Sequence, residues 1–247
     1  MGRIDAATMI QRPASGIGDF EVVVRHGDQL SNFRRANNNQ TWSGPFTIAA
    51  SSVRGTPSLL DNAPDFDLVV PLVSGGIAHY RSSGNTVPLA WGTAEVFAAS
   101  EGVFDDVVLM QGPFGALEVV ARTGDRLAYF YSDLTGTNWS TARYFATGVT
   151  GAPGAVMPRD DLGNIIVVAP VDQGGMVSWY FEKYAGPGSI WLGPSPPFGG
   201  GYPNAVSLIQ SNFGNNLEVV AEHCGRMTHW WRDSTFDRKW HGEVSLP

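Results

Sequence analysis

The sequence predicts an all-β chain that folds as one five-bladed β-propeller, built from five tandem copies of a four-stranded unit of about 48 residues. One observation is an apolar β-type segment that recurs at intervals of 46, 51, 48 and 52 residues. Its lead residues are Phe20, Phe66, Leu117, Ile165 and Leu217. A second observation is a tryptophan that closes each copy, at Trp42, Trp91, Trp139, Trp191 and Trp240. Four strands repeated every 40 to 50 residues are typical of propeller blades.

The copies fill the chain, so residues 1–247 are predicted to form a single domain. Their approximate boundaries are 8–55, 56–104, 105–152, 153–203 and 204–247. The ring is expected to close between the first and last copies. Whether the N-terminal segment adds a strand to the last blade stays open.

Each copy contains the same predicted elements in the same order. A short apolar strand comes first, at 8–10, 58–60, 108–110, 155–157 and 207–209. The recurrent apolar segment follows, and a turn glycine separates it from a third strand that carries an aromatic residue. These aromatics are Phe33, Tyr80, Phe130, Trp179 and Trp230. The 30 Gly and 16 Pro residues favour many turns between short strands, and no segment shows the 3.6-residue period of a helix.

Composition excludes several classes of protein. The net charge is −7 and no run of Lys or Arg occurs, which argues against nucleic acid as the main ligand. The single cysteine, Cys224, rules out an intramolecular disulfide and is predicted to be a free thiol in a turn. The histidines show no metal-ligand spacing, and no phosphate-binding loop is present, so neither a metal nor a cofactor is expected.

The chain as given shows neither a signal-peptide pattern nor an apolar stretch long enough to span a membrane. A soluble protein is therefore expected, either cytoplasmic or exported by a non-classical route, and the sequence does not decide between the two. Homo-oligomers are possible.

The alternation of side chains between the two faces of the second strand separates predicted core residues from candidate binding residues. In the first copy it places Phe20, Val22 and Val24 on one face and Glu21 and Val23 on the other. The valines are predicted to pack between blades. The acidic position (Glu21, Asp67, Glu118 and Glu218, with Ile166 in copy four) predicts either a repeated structural hydrogen bond or a repeated ligand contact. Asp61, Asp65 and Asp67 lie near one another around a proline turn, and although Asp67 fits the repeat pattern, all three are interpreted as surface residues.

The third strand and the closing tryptophans supply the candidate binding residues. The aromatics of the third strand are predicted to be core, and the opposite face to be solvated. That face carries polar and aromatic pairs: Asn32 and Arg34, His79 and Arg81, Tyr129 and Tyr131, Ser178 and Tyr180, His229 and Trp231. Such residues stack on and hydrogen-bond to small polar ligands, but they also suit a mixed blade surface. The tryptophans are either spacers between blades or platforms for a sugar ring. The candidate sugar contacts are therefore Asn32, Arg34, Trp42, His79, Arg81, Trp91, Tyr129, Tyr131, Trp139, His229, Trp231 and Trp240.

The unit Leu217-Glu218-Val219-Val220, its turn glycine, His229-Trp230-Trp231-Arg232 and Trp240 resembles a blade of bacterial and fungal propeller lectins. Five near-equal copies also resemble the five-bladed tachylectin family. The resemblance implies a non-enzymatic protein that binds glycans at several equivalent sites in or between blades. Copy four, with Ile166 and Ser178, is expected to lack its site.

Two other functions stay open. Propellers also serve as protein-binding scaffolds, since fold does not fix function. An enzyme would place its site in the central channel, and the best candidate cluster there is Arg159-Asp160-Asp161, with Arg12 aligned to Arg159.

Overall fold

A computed structural model of the protein describes residues 3–12, 18–49, 51–83, 86, 88–159, 163–183, 189–212, 214–223, 225–233 and 239–245. Cys224, Asp160 and Asp161 lie outside the described residues, and so do the predictions made for them. The part of the chain that the structure describes contains no helix with the length and apolar character of a membrane span.

Five antiparallel sheets follow one another along the chain as the five blades of a β-propeller. Blade 1 contains β1 (Ala6–Gln11), β2 (Phe20–His26), β3 (Gln29–Ala36) and β4 (Thr41–Ala49). Blade 2 contains β5 (Ser58–Asn62), β6 (Asp65–Pro71), β7 (Ile77–Ser83), β8 (Ala90–Trp91) and β9 (Glu95–Phe97). Blade 3 contains β10 (Asp106–Gln111), β11 (Leu117–Thr123), β12 (Arg126–Tyr131) and β13 (Arg143–Ala146).

Blade 4 contains β14 (Gly154–Val156), β15 (Ile165–Pro170), β16 (Met176–Glu182) and β17 (Ile190–Leu192). Blade 5 contains β18 (Val206–Gln210), β19 (Leu217–His223), β20 (Arg226–Arg232) and β21 (Trp240–Ser245). Each sheet is a meander in chain order, and in blade 2 the short strands β8 and β9 both pair with β7. One turn of 3-10 helix, Ala99–Glu101, follows β9. The five-bladed, all-β prediction is confirmed.

Each blade presents two faces, which we name by the neighbour that they meet. The backward face packs on the preceding blade and carries the lead apolar residues of the second strand, such as Phe66 and Leu68 in blade 2. The forward face packs on the following blade and carries the intervening valine, such as Val23 in blade 1. At the junction of blades 1 and 2, Val23 joins Phe66 and Leu68 in one buried apolar cluster. Similar clusters fill the junctions 2–3, 3–4 and 4–5.

The closing tryptophans reach back across these junctions. Trp139 stacks on Phe97 of blade 2, with ring centroids 4.0 Å apart and planes 5° from parallel. Trp191 stacks in the same way on Phe145 of blade 3 at 3.7 Å, and Trp240 on Phe198 of blade 4 at 4.6 Å. Offset aromatic pairs add about 0.5–1.5 kcal/mol beyond the area that they bury. These three contacts are those of a spacer between blades.

The junction between blade 5 and blade 1 differs from the other four. The sequence predicts a ring closed at this point, but Val220 on the forward face of blade 5 is half-buried, as are Phe20, Val22 and Phe33 on the backward face of blade 1. The corresponding residues in the other blades are buried. The N-terminal strand β1 pairs with β2, and the four described strands of blade 5 all come from the C-terminal repeat.

Adjacent tryptophans on β20 test the assignment of faces. Trp230 is 4% exposed in the cluster between blades 4 and 5, whereas Trp231 is 36% exposed on the opposite face. Trp230→Ala should lower the free energy of unfolding by about 3–5 kcal/mol, because it leaves a cavity in a close-packed junction. Trp231→Ala should cost about 1 kcal/mol or less. Urea denaturation of both variants measures the difference, and equal losses would contradict the assignment.

Candidate functional site

A carboxylate on the forward face of the second strand is the first recurring feature of the candidate site. Glu21, Asp67 and Glu118 are fully buried, and Glu218 is partly buried. In each case a polar side chain of the adjacent third strand reaches it. The donor–acceptor distances are 3.1 Å for Asn32 to Glu21, 2.7 Å for His79 to Asp67, 2.8 Å for Tyr129 to Glu118 and 2.6 Å for His229 to Glu218. The repeated hydrogen bond expected from the sequence is therefore present in four blades.

Two predictions about these strands are wrong. The forward face of the third strand is not solvated in blades 1 to 4, because Asn32, His79, Tyr129 and Ser178 are buried against the following blade. Asp67 is not a surface residue, and in Asp61 both carboxylate oxygens are buried although the residue is half-buried overall. Alternation identifies the residues that share a face, but it does not show whether another sheet covers that face.

The second residue of each third-strand pair lies directly across from the acidic position. Arg34 faces Glu21, Arg81 faces Asp67 and Tyr131 faces Glu118. Tyr180 faces Ile166 and Trp231 faces Glu218 in the last two blades. These side chains are partly or largely exposed at the ends of the buried junctions. Solvent reaches these side chains, as it also reaches Trp42 and His229 of the predicted set.

The pKa values of two equivalent carboxyls shift in opposite directions. Burial alone would raise the pKa of Asp67, but hydrogen bonds from His79 and Asn62 and the charge of Arg81 outweigh it, so the pKa lies below its ordinary value. Burial also raises the pKa of Glu21, and there the effect prevails. Glu21 has one neutral donor, Asn32, and the Nε of Arg34 is 3.7 Å away from Oε1.

A cavity of about 300 Å³ opens between blades 3 and 4, beside Glu118. Glu118 accepts a hydrogen bond from Tyr129 and pairs with Lys183 of blade 4. Burial, together with the charge of Glu118, raises the pKa of the Tyr129 hydroxyl, so the hydroxyl keeps its proton at neutral pH and donates its hydrogen bond to Glu118. The floor of the cavity is therefore a fixed polar group between two sheets.

Exposed aromatic and cationic side chains form the mouth of this cavity. The Tyr131 ring is exposed, and the Arg143 guanidinium lies 5.1 Å from its centroid. Arg143 also donates a hydrogen bond to the Tyr131 hydroxyl, at 3.3 Å. Phe114 and Leu134 are both strongly exposed on the rim. A flat apolar surface thus stands beside a buried carboxylate and two cations.

The corresponding position at the junction of blades 2 and 3 is filled by the protein itself. Arg81 is 3.1 Å from Asp67 and donates a hydrogen bond to the carbonyl oxygen of Thr135 in blade 3. Gly136, in the left-handed region with φ of 73°, lets the backbone approach, because a Cβ there would collide with the Arg81 guanidinium. Asp133 organises this loop through hydrogen bonds from Thr135 and Asn138, which hold its pKa far below the usual range.

The remaining candidate residues lie in different environments, some half-buried in the junctions and others exposed. Trp91, Trp139 and Trp240 are half-buried in the junctions, and Trp139 and Trp240 have one ring face covered. Trp42 is exposed, and Trp231 stacks on His241 at 4.7 Å. Arg12 lies 4.5 Å above the Phe66 ring, and Arg159 donates to Asn212. No group of three or more His, Cys, Asp or Glu residues is arranged to hold a metal ion within the described ranges.

Sequence reasoning missed several residues of the cavity, among them Phe114, Leu134, Arg143 and Lys183. They come from turns, from the outer strand β13 and from the end of β16, where the copies differ most, so no repeat marks them. It also missed the phenylalanines on which the tryptophans stack. A usable signal existed there, since Phe97, Phe145 and Phe198 follow the closing tryptophan of their own blade by six or seven residues.

The fold is found in several carbohydrate-related proteins. The chain is similar to the BP39L lectin from Burkholderia pseudomallei, with a TM-score of 0.75 and 16% identity over 97% of this chain and 69% of that one. A fucose-specific lectin from Aleuria aurantia gives 0.68 and 12%, over 98% and 78% of the two chains. The NanB sialidase from Streptococcus pneumoniae gives 0.70 and 11%, over 100% and 62%. No protein-family model and no curated protein sequence matches the chain. At these identities the likeness establishes the propeller fold.

The opposite pKa shifts of Asp67 and Glu21 predict opposite trends with pH. A depressed folded pKa stabilises the native state above the unfolded value of about 3.9, and this is lost as pH falls through the folded pKa. The loss from Asp67→Asn should therefore be largest near neutral pH, about 3–5 kcal/mol for a broken buried pair, and should shrink below about pH 4.

Glu21→Gln should behave in the opposite way. A raised folded pKa makes the contribution of Glu21 greatest at low pH, and it declines above the ordinary value of 4.5 toward the folded pKa. The destabilisation by Glu21→Gln should therefore shrink as pH rises through that window. Unfolding free energies measured from pH 3 to 7 check both trends, and parallel profiles would show that the two carboxyls are equivalent.

Proposed function

We propose that the protein binds carbohydrate, and that the cavity between blades 3 and 4 is its principal site. The observation that carries this proposal is the exposed ring of Tyr131 beside the buried carboxylate of Glu118, with Arg143 at the mouth. A sugar ring has an apolar C–H face, which stacks on an aromatic ring, and hydroxyl groups, which hydrogen-bond to charged groups. The cavity volume of about 300 Å³ is at the small end of ligand pockets and suits one sugar residue.

The proposal extends to several sites because the carboxylate network recurs. Blades 1, 2, 3 and 5 carry it, but in blade 2 Arg81 fills the corresponding position, so blades 1 and 5 are the further candidates. Blade 4 has Ile166 at the acidic position and is expected to lack a site. The residue opposite the carboxylate differs from blade to blade, so the sites would differ in shape and affinity. Simultaneous engagement of weak sites raises avidity by about 10²- to 10⁴-fold where geometry permits. The similar solved structures, two named as lectins and one as a sialidase, support the class of ligand.

A glycan array probed with the purified protein at several glycan densities tests the function. Selective binding that increases steeply with density is expected from a multivalent lectin. An array without signal, for protein shown to be folded, would contradict carbohydrate binding.

Variants of blade 3 test the site. Tyr131→Ala should weaken binding of the array-selected sugar by roughly 2- to 10-fold, which is the value of one aromatic contact. Arg143→Ala should weaken it by roughly 10- to 100-fold, because it removes hydrogen bonds from a charged donor. Titration calorimetry gives both affinities.

Arg126→Ala is the matched control. Arg126 lies over the Tyr144 ring at 3.7 Å in the same blade, an arrangement like that of Arg143 over Tyr131 but outside the cavity. The Arg126→Ala variant should bind the array-selected sugar with the same affinity as the unmodified protein. Equal losses for Arg126→Ala and Arg143→Ala would place the site elsewhere.

A further inference from the structure

The charges that line the cavity between blades 3 and 4 do not cancel. The ionised side chains of its described lining are one carboxylate, Glu118, and two cations, Lys183 and Arg143. The lining therefore has an excess of positive charge, although the chain as a whole carries a net charge of −7. The position of the unbalanced cation decides what kind of ligand the cavity receives.

Glu118 and Lys183 neutralise each other at the inner end of the cavity. The Oε1 atom of Glu118 pairs with the Lys183 ammonium, and Oε2 accepts the hydrogen bond of Tyr129 at 2.8 Å. Gly112 lies against this pair, because a Cβ there would be 2.7 Å from Glu118 Oε1. A buried ion pair is tolerated when its members also have such hydrogen bonds. The inner end thus offers a ligand no excess charge.

Arg143 is the cation without a carboxylate partner. Its side chain is exposed at the mouth, where it donates to the Tyr131 hydroxyl at 3.3 Å and lies 5.1 Å from the centroid of that ring. Within the described ranges no carboxylate forms an ion pair with it. A guanidinium has five N–H donors in a planar fork that matches an anionic group with two oxygens. Tyr131 therefore holds this fork in place and leaves donors available for a ligand.

The position of Arg143 on the outer strand is not conserved in kind among the blades. Arg143 pairs with Tyr129 of the third strand. The residue at the same place is Phe46 in blade 1 and Glu95 in blade 2. An apolar residue, an acid and a base at one structural position show that the scaffold does not require a cation there. The charge of Arg143 is a property of the blade 3 cavity.

We propose that the ligand of this cavity is an acidic sugar, whose carboxylate or sulfate group pairs with Arg143 while its ring lies against Tyr131. The inference rests on the proposed function and narrows its class of ligand. Hydrogen bonds between a guanidinium and an anion are roughly twice as strong as those between neutral groups. Because the net charge of the protein is −7, it does not attract anions in general, and the preference depends on this one side chain.

Matched sugars test the preference. The probes are galactose, galacturonic acid and galactose sulfated at the same carbon, together with the corresponding sets built on glucose and mannose. In titration calorimetry an acidic member should bind roughly 5- to 10-fold more tightly than its neutral parent. The preference should shrink as salt is added, since an exposed ion pair is screened. The acidic member that binds more tightly identifies the group as a carboxylate or a sulfate.

Variants of Arg143 assign the preference to this residue. Arg143→Gln keeps a hydrogen-bond donor without the charge and should remove the preference, and Arg143→Glu should reverse it. Arg126→Gln is the matched control, because Arg126 lies 3.7 Å over the Tyr144 ring outside the cavity, and it should keep the preference.

Three results would overturn the inference. They are equal affinities for acidic and neutral members, a preference that persists in Arg143→Gln, and a lack of binding to every acidic member. Equal affinities would leave carbohydrate binding intact, since the glycan array tests the proposed function separately.

Discussion

Burial of both faces of every sheet is the constraint on which this structure depends. A sheet with apolar residues on its two faces cannot remove both faces from water by packing on one neighbouring sheet. Each blade therefore has to lie between two others. Two adjacent residues of β6 show this arrangement, because Val69 packs in the cluster shared with blade 3 and Leu68 packs in the cluster shared with blade 1. The tryptophan–phenylalanine stacks then set the spacing at the outer part of the junctions. The forward face of blade 5 and the backward face of blade 1 are more exposed than the faces that meet at the other four junctions.

Much of the fold could be predicted from sequence because the repeat provides five independent observations of one pattern. The period, the strand order and the core aromatics Tyr80, Phe130, Trp179 and Trp230 all follow from it. Phe33 is the exception, since it is half-buried on the open face of blade 1. Sequence alone could not show this, because Phe33 satisfies the same pattern as its four counterparts. The lower burial of Phe33 comes from what its neighbouring blade covers and not from the residue itself.

The candidate site was predictable only in part, and for a related reason. The acidic position and Tyr131 follow the repeat, so comparing copies identifies them. Arg143 and Lys183 reach the cavity from an outer strand and from the next blade, and their roles arise from three-dimensional proximity. The carboxylate network also behaves differently from copy to copy, as the opposite pKa shifts of Glu21 and Asp67 show. The repeat therefore determines the position of the carboxylate in each copy, and its hydrogen-bond and charge partners determine its pKa.

The Arg81 side chain that fills one junction has a consequence for how such a protein can change over time. In blade 2 the residue opposite the carboxylate is Arg81, which crosses to Thr135 of blade 3. In blade 3 it is Tyr131, at the edge of an open cavity. In these two blades that residue is not one of the apolar side chains that pack the junction. Mutation at this position in blade 2 or blade 3 is thus expected to close or open a pocket while leaving the apolar packing of the junction intact. Gene duplication of a single blade would then supply a set of sites whose specificities diverge independently, one junction at a time.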